Sequence, residues 1–304
     1  MDSPLEVHAR LGSELGVELL VKRDDLLPFP LPGNKVRKLT AELAVNEPVP
    51  DVVITNGGID SNHCRTIALM AARMGFRAHL VLHGDPSLAP RAASLLSALG
   101  ATYDVVDSSA IAGTIAERSD IFAGEGYRVQ VIPGGCHTPA GARAYRDAAA
   151  ELFTHTSVDA VVVASGTGAT QGGIVAAAAA RATPPRVIGV SVARDEERGR
   201  PAVREAAMWA GATRDTPLEF LDRYRDGGYG RSGTATAAAV ALGWRFGLPL
   251  DPTYTGKAFA GLQDLIASGS IGHGSRVLFW HTGGLWNYLS TPLEGKQAPM
   301  KKES

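Results

Sequence analysis

The residue with the clearest potential for covalent chemistry is a lysine near the amino terminus. Lys35 follows a Pro-Gly-Asn turn signal and opens a helix-like run over residues 36–42. A primary amine held at such a junction can be directed into a cleft, where it forms a Schiff base with a carbonyl compound. Locally the pattern also fits a solvated helix start, because Lys35, Arg37 and Lys38 form a short basic run. The remaining segments of the chain decide between these interpretations.

A glycine- and threonine-rich turn is the second chemical feature. Residues 166–173, Gly-Thr-Gly-Ala-Thr-Gln-Gly-Gly, follow a near-continuous apolar strand. Backbone N–H groups in such a turn, together with the positive end of the next helix, can bind a phosphate. The spacing G-x-G-x-x-x-G matches neither a Walker A loop nor the dinucleotide fingerprint. A tight structural turn is the alternative, and an NAD site stays open because Asp195 and Glu196 lie near the distance of a ribose partner.

Two further segments place polar side chains at junctions. Ser61 and Asn62 lie between a predicted strand and a helix, where a helix amino terminus can hold a carboxylate and a serine can relay a proton. The same two residues are common helix caps. Tyr229 lies in a glycine-dense segment whose alternative is a plain flexible loop. Tyr254 and Thr255 lie between two predicted helices, where Tyr254 also fits a core position and Thr255 a helix cap.

Composition and charge limit the class of protein. The 304 residues are 45% hydrophobic and 20% charged with a formal net charge of -1, which does not favour nucleic acid or an anionic membrane as a partner. No basic leader or bilayer-length apolar stretch is present, and the two cysteines form no disulfide framework. We therefore expect a cytoplasmic protein. We expect no metal, because His63-Cys64 and Cys136-His137 lack structural zinc spacing, and we expect the tail over residues 295–304 to fray.

The hydrophobic pattern alternates between short apolar runs and helical periodicity. Strands are predicted at residues 52–55, 78–83, 102–106, 128–132, 160–165, 187–192 and 276–281. Helices are predicted at residues 67–74, 91–99, 111–123, 140–153, 174–182, 201–210, 234–246 and 257–267. This alternation predicts an α/β fold with parallel strands, and the break at residues 133–135 predicts a hinge between two lobes. Ligands in such folds lie at the carboxyl ends of strands, where the glycine turns at residues 56–58 and 166–173 occur.

Five ordered motifs resemble one family. They are residues 32–39, 57–63, 166–170, 251–257 and 277–284. Together they resemble the D-cysteine desulfhydrase / 1-aminocyclopropane-1-carboxylate (ACC) deaminase family of pyridoxal 5'-phosphate (PLP) enzymes, which have the tryptophan-synthase-β-like fold called fold type II. The resemblance extends from about residue 21 to residue 284 and is more specific than any single motif.

The resemblance implies a two-lobed, three-layer α/β fold with mostly parallel twisted sheets. The larger, PLP-binding lobe is expected to comprise residues 1–40 and 150–304. The smaller lobe is expected to comprise residues 41–149 and to carry the Ser61-Asn62-His63 loop. A homodimer is expected by resemblance only.

The resemblance also implies roles for individual residues. Lys35 matches the lysine that holds PLP as a Schiff base, and Asn62 matches the partner of the 3'-hydroxyl. The other implied cofactor contacts are Asn34, the phosphate cradle Gly166, Thr167, Gly168, Ala169 and Thr170, and Thr255 at the pyridine nitrogen. The implied substrate contacts are Ser61, Asn62, His63, Tyr229 and Tyr254, of which Ser61, Tyr229 and Tyr254 join Lys35 as catalytic residues.

Thr255 favours one branch of the family. ACC deaminases resemble this stretch but carry glutamate there, which keeps the pyridine nitrogen protonated for ring opening. A threonine hydroxyl can donate to an unprotonated nitrogen but supplies no charge, so the electron sink is weaker. A weaker sink is sufficient for simple β-elimination. The sequence therefore resembles a PLP-dependent lyase that converts a small, D-cysteine-like amino acid to pyruvate, ammonia and sulfide.

Departures from the family pattern keep other functions open. Pro32 replaces a usual glycine, Asp60 replaces a usual glutamine, and the segment around Cys136 differs from the small, polar sequence expected there. ACC ring opening, or β-elimination or replacement on another amino acid in a specialised pathway, is the first alternative. An NAD-dependent oxidoreductase and a non-catalytic ligand-binding module are more remote alternatives.

Overall fold

The computed structural model describes residues 1–45 and 48–290. The predicted frayed tail, residues 295–304, lies outside the described residues. Ten strands are present in this part of the chain: β1 Leu5–Val7, β2 Glu18–Arg23, β3 Val52–Gly58, β4 Arg77–His83, β5 Thr102–Val105, β6 Val129–Ile132, β7 Ala160–Ser165, β8 Arg186–Ser191, β9 Glu219–Leu221 and β10 Arg276–His281. The helices there are α1 Ala9–Leu15, α2 Asn34–Ala44, α3 Asn62–Met74, α4 Pro90–Ala98, α5 Ile111–Gly124, α6 Pro139–His155, α7 Ala169–Ala179, α8 Glu196–Trp209, α9 Thr234–Arg245, α10 Thr255–Ala267 and α11 Leu285–Ser290.

The strands form two sheets. The larger has six strands in the order β1-β2-β10-β7-β8-β9, and the smaller has four in the order β5-β4-β3-β6. Every pairing is parallel except that of β1 with β2. All six residues of β7 are buried, as expected for a central parallel strand covered on both faces. The predicted α/β class with mostly parallel sheets is confirmed.

The two sheets are built from different parts of the chain. The larger sheet uses strands within residues 5–23 and 160–281, and the smaller uses strands within residues 52–132. Helix α2, which carries Lys35, buries Val36 and Leu39 in the core of the smaller sheet. The predicted lobe boundaries at residues 40–41 and 149–150 stay a prediction.

Helix α7 begins earlier than its predicted start at residue 174. The glycines at its start were expected to form a loop, but Gly172 and Gly173 are helical. A Cβ at Gly172 would lie 2.6 Å from the Cβ of Ala206, and one at Gly173 would lie 2.2 Å from the carbonyl oxygen of Ala142. These glycines therefore allow α7 to pack closely against α6 and α8.

Within the described residues, none of the helices combines the length and hydropathy needed to cross a bilayer. The first two strands and helix α1 were not predicted from the sequence. Strand β1 has only three residues, which is too short for a pattern. Strand β2 is almost entirely buried, so it lacks the alternation that marks a half-buried strand.

Candidate active site

Residues at the carboxyl ends of several strands meet in one cleft. A cavity of about 420 Å³ is lined by residues that follow β3, β6 and β7, together with Lys35, Tyr229 and Tyr254. A narrower cavity of about 30 Å³ adjoins Lys35 and is lined by residues of α2 and of the glycine-threonine loop. The site thus lies where ligands bind in parallel α/β sheets.

Lys35 is positioned by a turn that is tied to the end of β10. Gly33 has φ 149° and pairs with Gly283, and a Cβ at Gly33 would lie 2.9 Å from the carbonyl oxygen of Thr282. The backbone N–H of Asn34 donates to the same oxygen at 2.9 Å. Helix α2 starts there, and the Lys35 amine donates to Asn34 Oδ1 at 3.0 Å. The predicted turn therefore fixes the base of the Lys35 side chain.

A buried polar cluster anchors the helix that carries Lys35. Asp24 accepts hydrogen bonds from Ser3 Oγ at 2.7 Å, Arg37 Nη2 at 2.9 Å and Trp280 Nε1 at 2.9 Å. The hydroxyl of Tyr145 also donates to Asp24. Because these donors come from the amino-terminal segment, α2, α6 and β10, the cluster holds α2 against the larger sheet.

The basic run around Lys35 is not a solvated helix start. Arg37 and Lys38 are buried, and burial together with the charge of Lys38 holds the pKa of Lys35 well below its usual value. Burial also lowers the pKa of Lys38 to about 8, and its amine donates to the carbonyl oxygen of Gly135 at 2.5 Å. Lys35 therefore carries a neutral, nucleophilic amine more readily than an exposed lysine.

The glycine-threonine loop forms the other wall of the narrow cavity. Gly166, Thr167, Gly168 and Thr170 line it, whereas Ala169 is buried and contributes no lining side chain. Gly168 has φ 109°, and α7 begins at the next residue, so the amino end of this helix is next to the cavity. The hydroxyl of Thr170 accepts from Asn34 Nδ2 at 3.2 Å.

The acidic residues downstream of this loop have a structural role. Asp195 is the amino-terminal cap of α8, where its Oδ1 accepts from the backbone N–H of Arg198 at 3.0 Å. Glu196 is the first residue of that helix. The cap accounts for an acidic residue at this position without a ribose partner.

The Ser61-Asn62-His63 segment begins helix α3 at the cleft. Ser61 is the helix cap and accepts from the backbone N–H of Cys64 at 3.4 Å, as in the capping alternative. The same residue also lines the cleft. His63 is buried with its Nε2 2.7 Å from Thr55 Oγ1. Thr55 donates its proton to the carbonyl oxygen of Ile132, so Nε2 of His63 donates to Thr55. Burial, Lys35 and Lys38 hold the pKa of His63 well below its usual value, which keeps it neutral.

Tyr229 and Tyr254 form a pair in the cleft wall. Their hydroxyl oxygens are 2.5 Å apart and their rings meet edge to face with centroids 5.8 Å apart. Burial raises the pKa of both phenols, and the nearby carboxylate of Asp60 raises the pKa of Tyr229 further. Both hydroxyls therefore stay protonated across the physiological range. Because one donates to the other, one O–H of the pair remains available as a proton donor.

Thr255 is fully buried and its hydroxyl is bonded to Asp251. The Thr255 hydroxyl donates to Asp251 Oδ1 at 2.7 Å and accepts from the Asp251 backbone N–H at 2.9 Å. Asp251 also accepts from the backbone N–H groups of Thr253, Tyr254 and Thr255. The Asp251 carboxylate therefore accepts from the N–H groups at the start of α10. The alternative that Thr255 is the helix cap does not hold, because Thr255 is the first helical residue.

Sequence reasoning did not assign Lys38 or Arg65 to the site. Lys38 is three residues after Lys35, one helical turn, which places both amines on the same side of α2. Arg65 is three residues after Asn62 on α3 in the same way. The i, i+3 spacing from a predicted site residue at a helix start was the signal available.

Comparison with known proteins gives the family. A family model described as pyridoxal-phosphate dependent enzyme matches residues 2–283. A putative 1-aminocyclopropane-1-carboxylate deaminase of Pyrococcus horikoshii is 34% identical over 295 residues, covering 93% of this chain and 90% of the relative. A D-cysteine desulfhydrase of Salmonella typhi is 33% identical over 304 residues, covering 93% of this chain and 91% of the relative.

Solved structures share the fold. The crystal structure of an ACC deaminase homologue superposes with a TM-score of 0.83 at 32% identity, covering 96% of this chain and 90% of that chain. Threonine deaminase isoform 2 of Solanum lycopersicum superposes with a TM-score of 0.70 at 18% identity, covering 93% of this chain and 84% of that chain. The second match bears on the fold alone.

Proposed function

Because the chain belongs to the pyridoxal-phosphate-dependent enzyme family, we propose that it catalyses α,β-elimination on a D-cysteine-like amino acid. It is a PLP-dependent lyase that acts on small amino acids. In the proposed reaction, D-cysteine and water yield pyruvate, ammonia and hydrogen sulfide. Relatives named D-cysteine desulfhydrase and putative ACC deaminase are both about equally similar to this chain.

The residues around the cleft fit PLP. A Schiff base with the aldehyde of PLP forms from a neutral amine, and the lowered pKa of Lys35 favours that form. A phosphate requires donors and positive charge, which the amino end of α7 and the buried amine of Lys38 provide beside the same cavity. Asn62 lines that cavity too and is our candidate partner of the 3'-oxygen.

The chain's own groups divide the proton transfers. PLP, when bound, delocalises the electron pair left at Cα after proton removal. We assign removal of the Cα proton to the neutral amine of Lys35, with Ser61 in the same cleft as a relay. We assign protonation of the departing sulfur to Tyr254, whose hydroxyl is hydrogen-bonded to that of Tyr229. We assign His63, which is neutral and lines the cleft, to substrate binding.

We favour elimination over ring opening because of the residue at position 255. Its hydroxyl is bonded to Asp251 and the side chain carries no charge, so this position offers no carboxylate to hold a proton on the pyridine nitrogen. A weaker electron sink is sufficient when a thiolate leaves from the β-carbon. ACC ring opening is the second candidate because relatives bearing that name cover nearly the whole chain.

The test is a parallel assay of D-cysteine, L-cysteine and ACC with the purified holoenzyme. We expect pyruvate and sulfide in equal amounts from D-cysteine, and turnover of ACC at least about 100-fold slower, equivalent to about 2.7 kcal/mol in the barrier. Release of 2-oxobutyrate from ACC at a rate above that of pyruvate from D-cysteine would instead establish ring opening.

Replacing Thr255 by glutamate is expected to change the protonation of the bound cofactor. The new carboxylate would lie beside Asp251, so the two groups would compete for one proton. We expect the midpoint of the absorbance change of the bound cofactor with pH to move by about one unit or more. Thr255→Val is the matched control, since it removes the hydroxyl without adding charge. An absorbance-pH profile identical to that of wild type would count against Thr255 at the ring nitrogen.

Replacing Lys38 by methionine is expected to weaken PLP binding by about 10- to 100-fold, the scale of one hydrogen bond to a charged group. Methionine preserves most of the buried volume, while the cation beside the glycine-threonine loop is lost. Equilibrium dialysis of the holoenzyme measures the dissociation constant. Because Lys38 also lowers the pKa of Lys35, the variant should bind PLP better at high pH than at neutral pH. Unchanged affinity at pH 7 would remove Lys38 from the phosphate site.

We also propose the finer features that the resemblance implies. These are a cytoplasmic homodimer and a division into a larger lobe, residues 1–40 and 150–304, and a smaller lobe, residues 41–149. The division is supported by the two separate sheets. A reducing compartment is supported by Cys64 and Cys136, which are both free and buried.

A further inference from the structure

The buried side chain of Arg65 determines which atom of Asn62 faces it. Arg65 is 1% exposed and follows Asn62 by one turn of α3. Its Nη2 donates to Asn62 Oδ1 and, at 3.1 Å, to Asn287 Oδ1. A guanidinium has donors only, so the Asn62 atom in this contact is its oxygen. The two N–H bonds of the amide are then not used by Arg65, and Asn62 lines the narrow cavity beside Lys35.

Arg65 is itself held from both sides of the cleft. Its Nη1 donates to the carbonyl oxygen of Asp60, which also accepts from Asn287 Nδ2 at 3.4 Å. Its guanidinium carbon lies 5.6 Å from the ring centroid of Trp286. Trp286 and Asn287 belong to α11, which follows the larger sheet, whereas Asn62 and Arg65 belong to α3, which follows the smaller sheet. The orientation of the Asn62 amide therefore depends on contacts from both sheets.

We propose that Arg65 is a positioning residue that acts on PLP through Asn62, by holding the amide so that it donates a hydrogen bond to the 3'-oxygen. This proposal rests on the proposed placement of PLP at Lys35 and Asn62. The 3'-oxygen of bound PLP carries negative charge and is an acceptor. A rotated amide would direct its own oxygen at that acceptor, and two acceptors repel.

The test is a double-mutant cycle on cofactor binding. The dissociation constant of PLP is measured by equilibrium dialysis of the holoenzyme for wild type, Arg65→Met, Asn62→Ala and the double variant. We expect Arg65→Met to weaken binding by about tenfold when Asn62 is present, the scale of one hydrogen bond to a charged group. In the Asn62→Ala background the same change should alter binding by less than about twofold, because the group through which Arg65 acts is gone.

Two further variants complete the design. Arg73→Met is the matched control, since Arg73 is on the same helix but stacks over Phe29 at 5.2 Å and should leave binding unchanged in both backgrounds. Arg65→Lys keeps the charge but loses the planar, forked guanidinium, so an intermediate loss of PLP affinity is expected. It also replaces Arg65→Met in the cycle if that variant does not fold.

If Arg65→Met weakens binding equally in both backgrounds, Arg65 only supports the local fold and the proposal is overturned. No loss of binding in the presence of Asn62 would also overturn it. Arg65→Lys is read in the same way where it replaces Arg65→Met. The readout is cofactor binding, so a failure of D-cysteine as substrate would leave the result interpretable. Conversely, a positive cycle would not by itself establish elimination over ring opening.

Discussion

Replacing Lys35 by alanine is expected to remove the Schiff-base absorbance of the bound cofactor and to lower turnover of D-cysteine by at least about 10³-fold. The amine is the covalent partner we assign to PLP and also the base at Cα. Both roles depend on a neutral amine, which burial and the charge of Lys38 favour by holding the pKa of Lys35 well below its usual value. Absorbance spectra and a pyruvate assay on the same preparation measure both effects.

Lys22→Ala is the matched control for this variant. The Lys22 amine donates to Asp2 Oδ1 at 2.8 Å and to the carbonyl oxygen of Ser3, and none of these three residues lines the cleft. We expect it to keep the absorbance and the turnover of wild type, with any loss confined to stability. A Lys35→Ala protein that is folded, coloured and near-normal in turnover would show that another group holds the cofactor.

Much of the architecture could be predicted because parallel strands leave strong signals. The apolar run predicted as a strand is β7, which is buried along its whole length. The glycine-rich segment that follows it lies at a helix start, as expected. The exact start of α7 could not be predicted, because Gly172 and Gly173 are helical only in the presence of α6 and α8. A glycine that permits close packing and one that permits a turn look identical in a sequence.

Charged residues of the site were harder to interpret. Arg37 and Lys38 look like a solvated run, but the first is bonded to Asp24 and the second to a backbone carbonyl of Gly135. These partners are distant in sequence, so local spacing does not reveal them. Asp195 is the converse case. Its distance in sequence from the glycine-threonine loop fits a ribose partner, but its carboxylate caps helix α8.

The tyrosine pair in the cleft wall gives the second large effect. Replacing Tyr254 by phenylalanine should lower kcat for D-cysteine by about 10²- to 10⁴-fold, the range for loss of a general acid. Chloride needs no proton to leave, so β-chloro-D-alanine should lose less than about tenfold in the same variant. Steady-state rates of pyruvate release for the two substrates measure the contrast. Equal losses would mean that Tyr254 positions the substrate and does not protonate its leaving group.

The hydroxyl of Tyr229 is expected to support this role. Tyr229→Phe removes the hydrogen-bond partner of Tyr254 but leaves the donor in place, so its loss on D-cysteine should be smaller than that of Tyr254→Phe. Tyr224→Phe is the control, because the Tyr224 hydroxyl donates to Asp264 on the exposed side of α10. Since the pKa of both cleft tyrosines is raised, they stay protonated below pH 10, and kcat should show no alkaline decline from their ionisation there. A decline near pH 9 that disappears in Tyr254→Phe would show that this phenol ionises within the working range, contrary to its raised pKa.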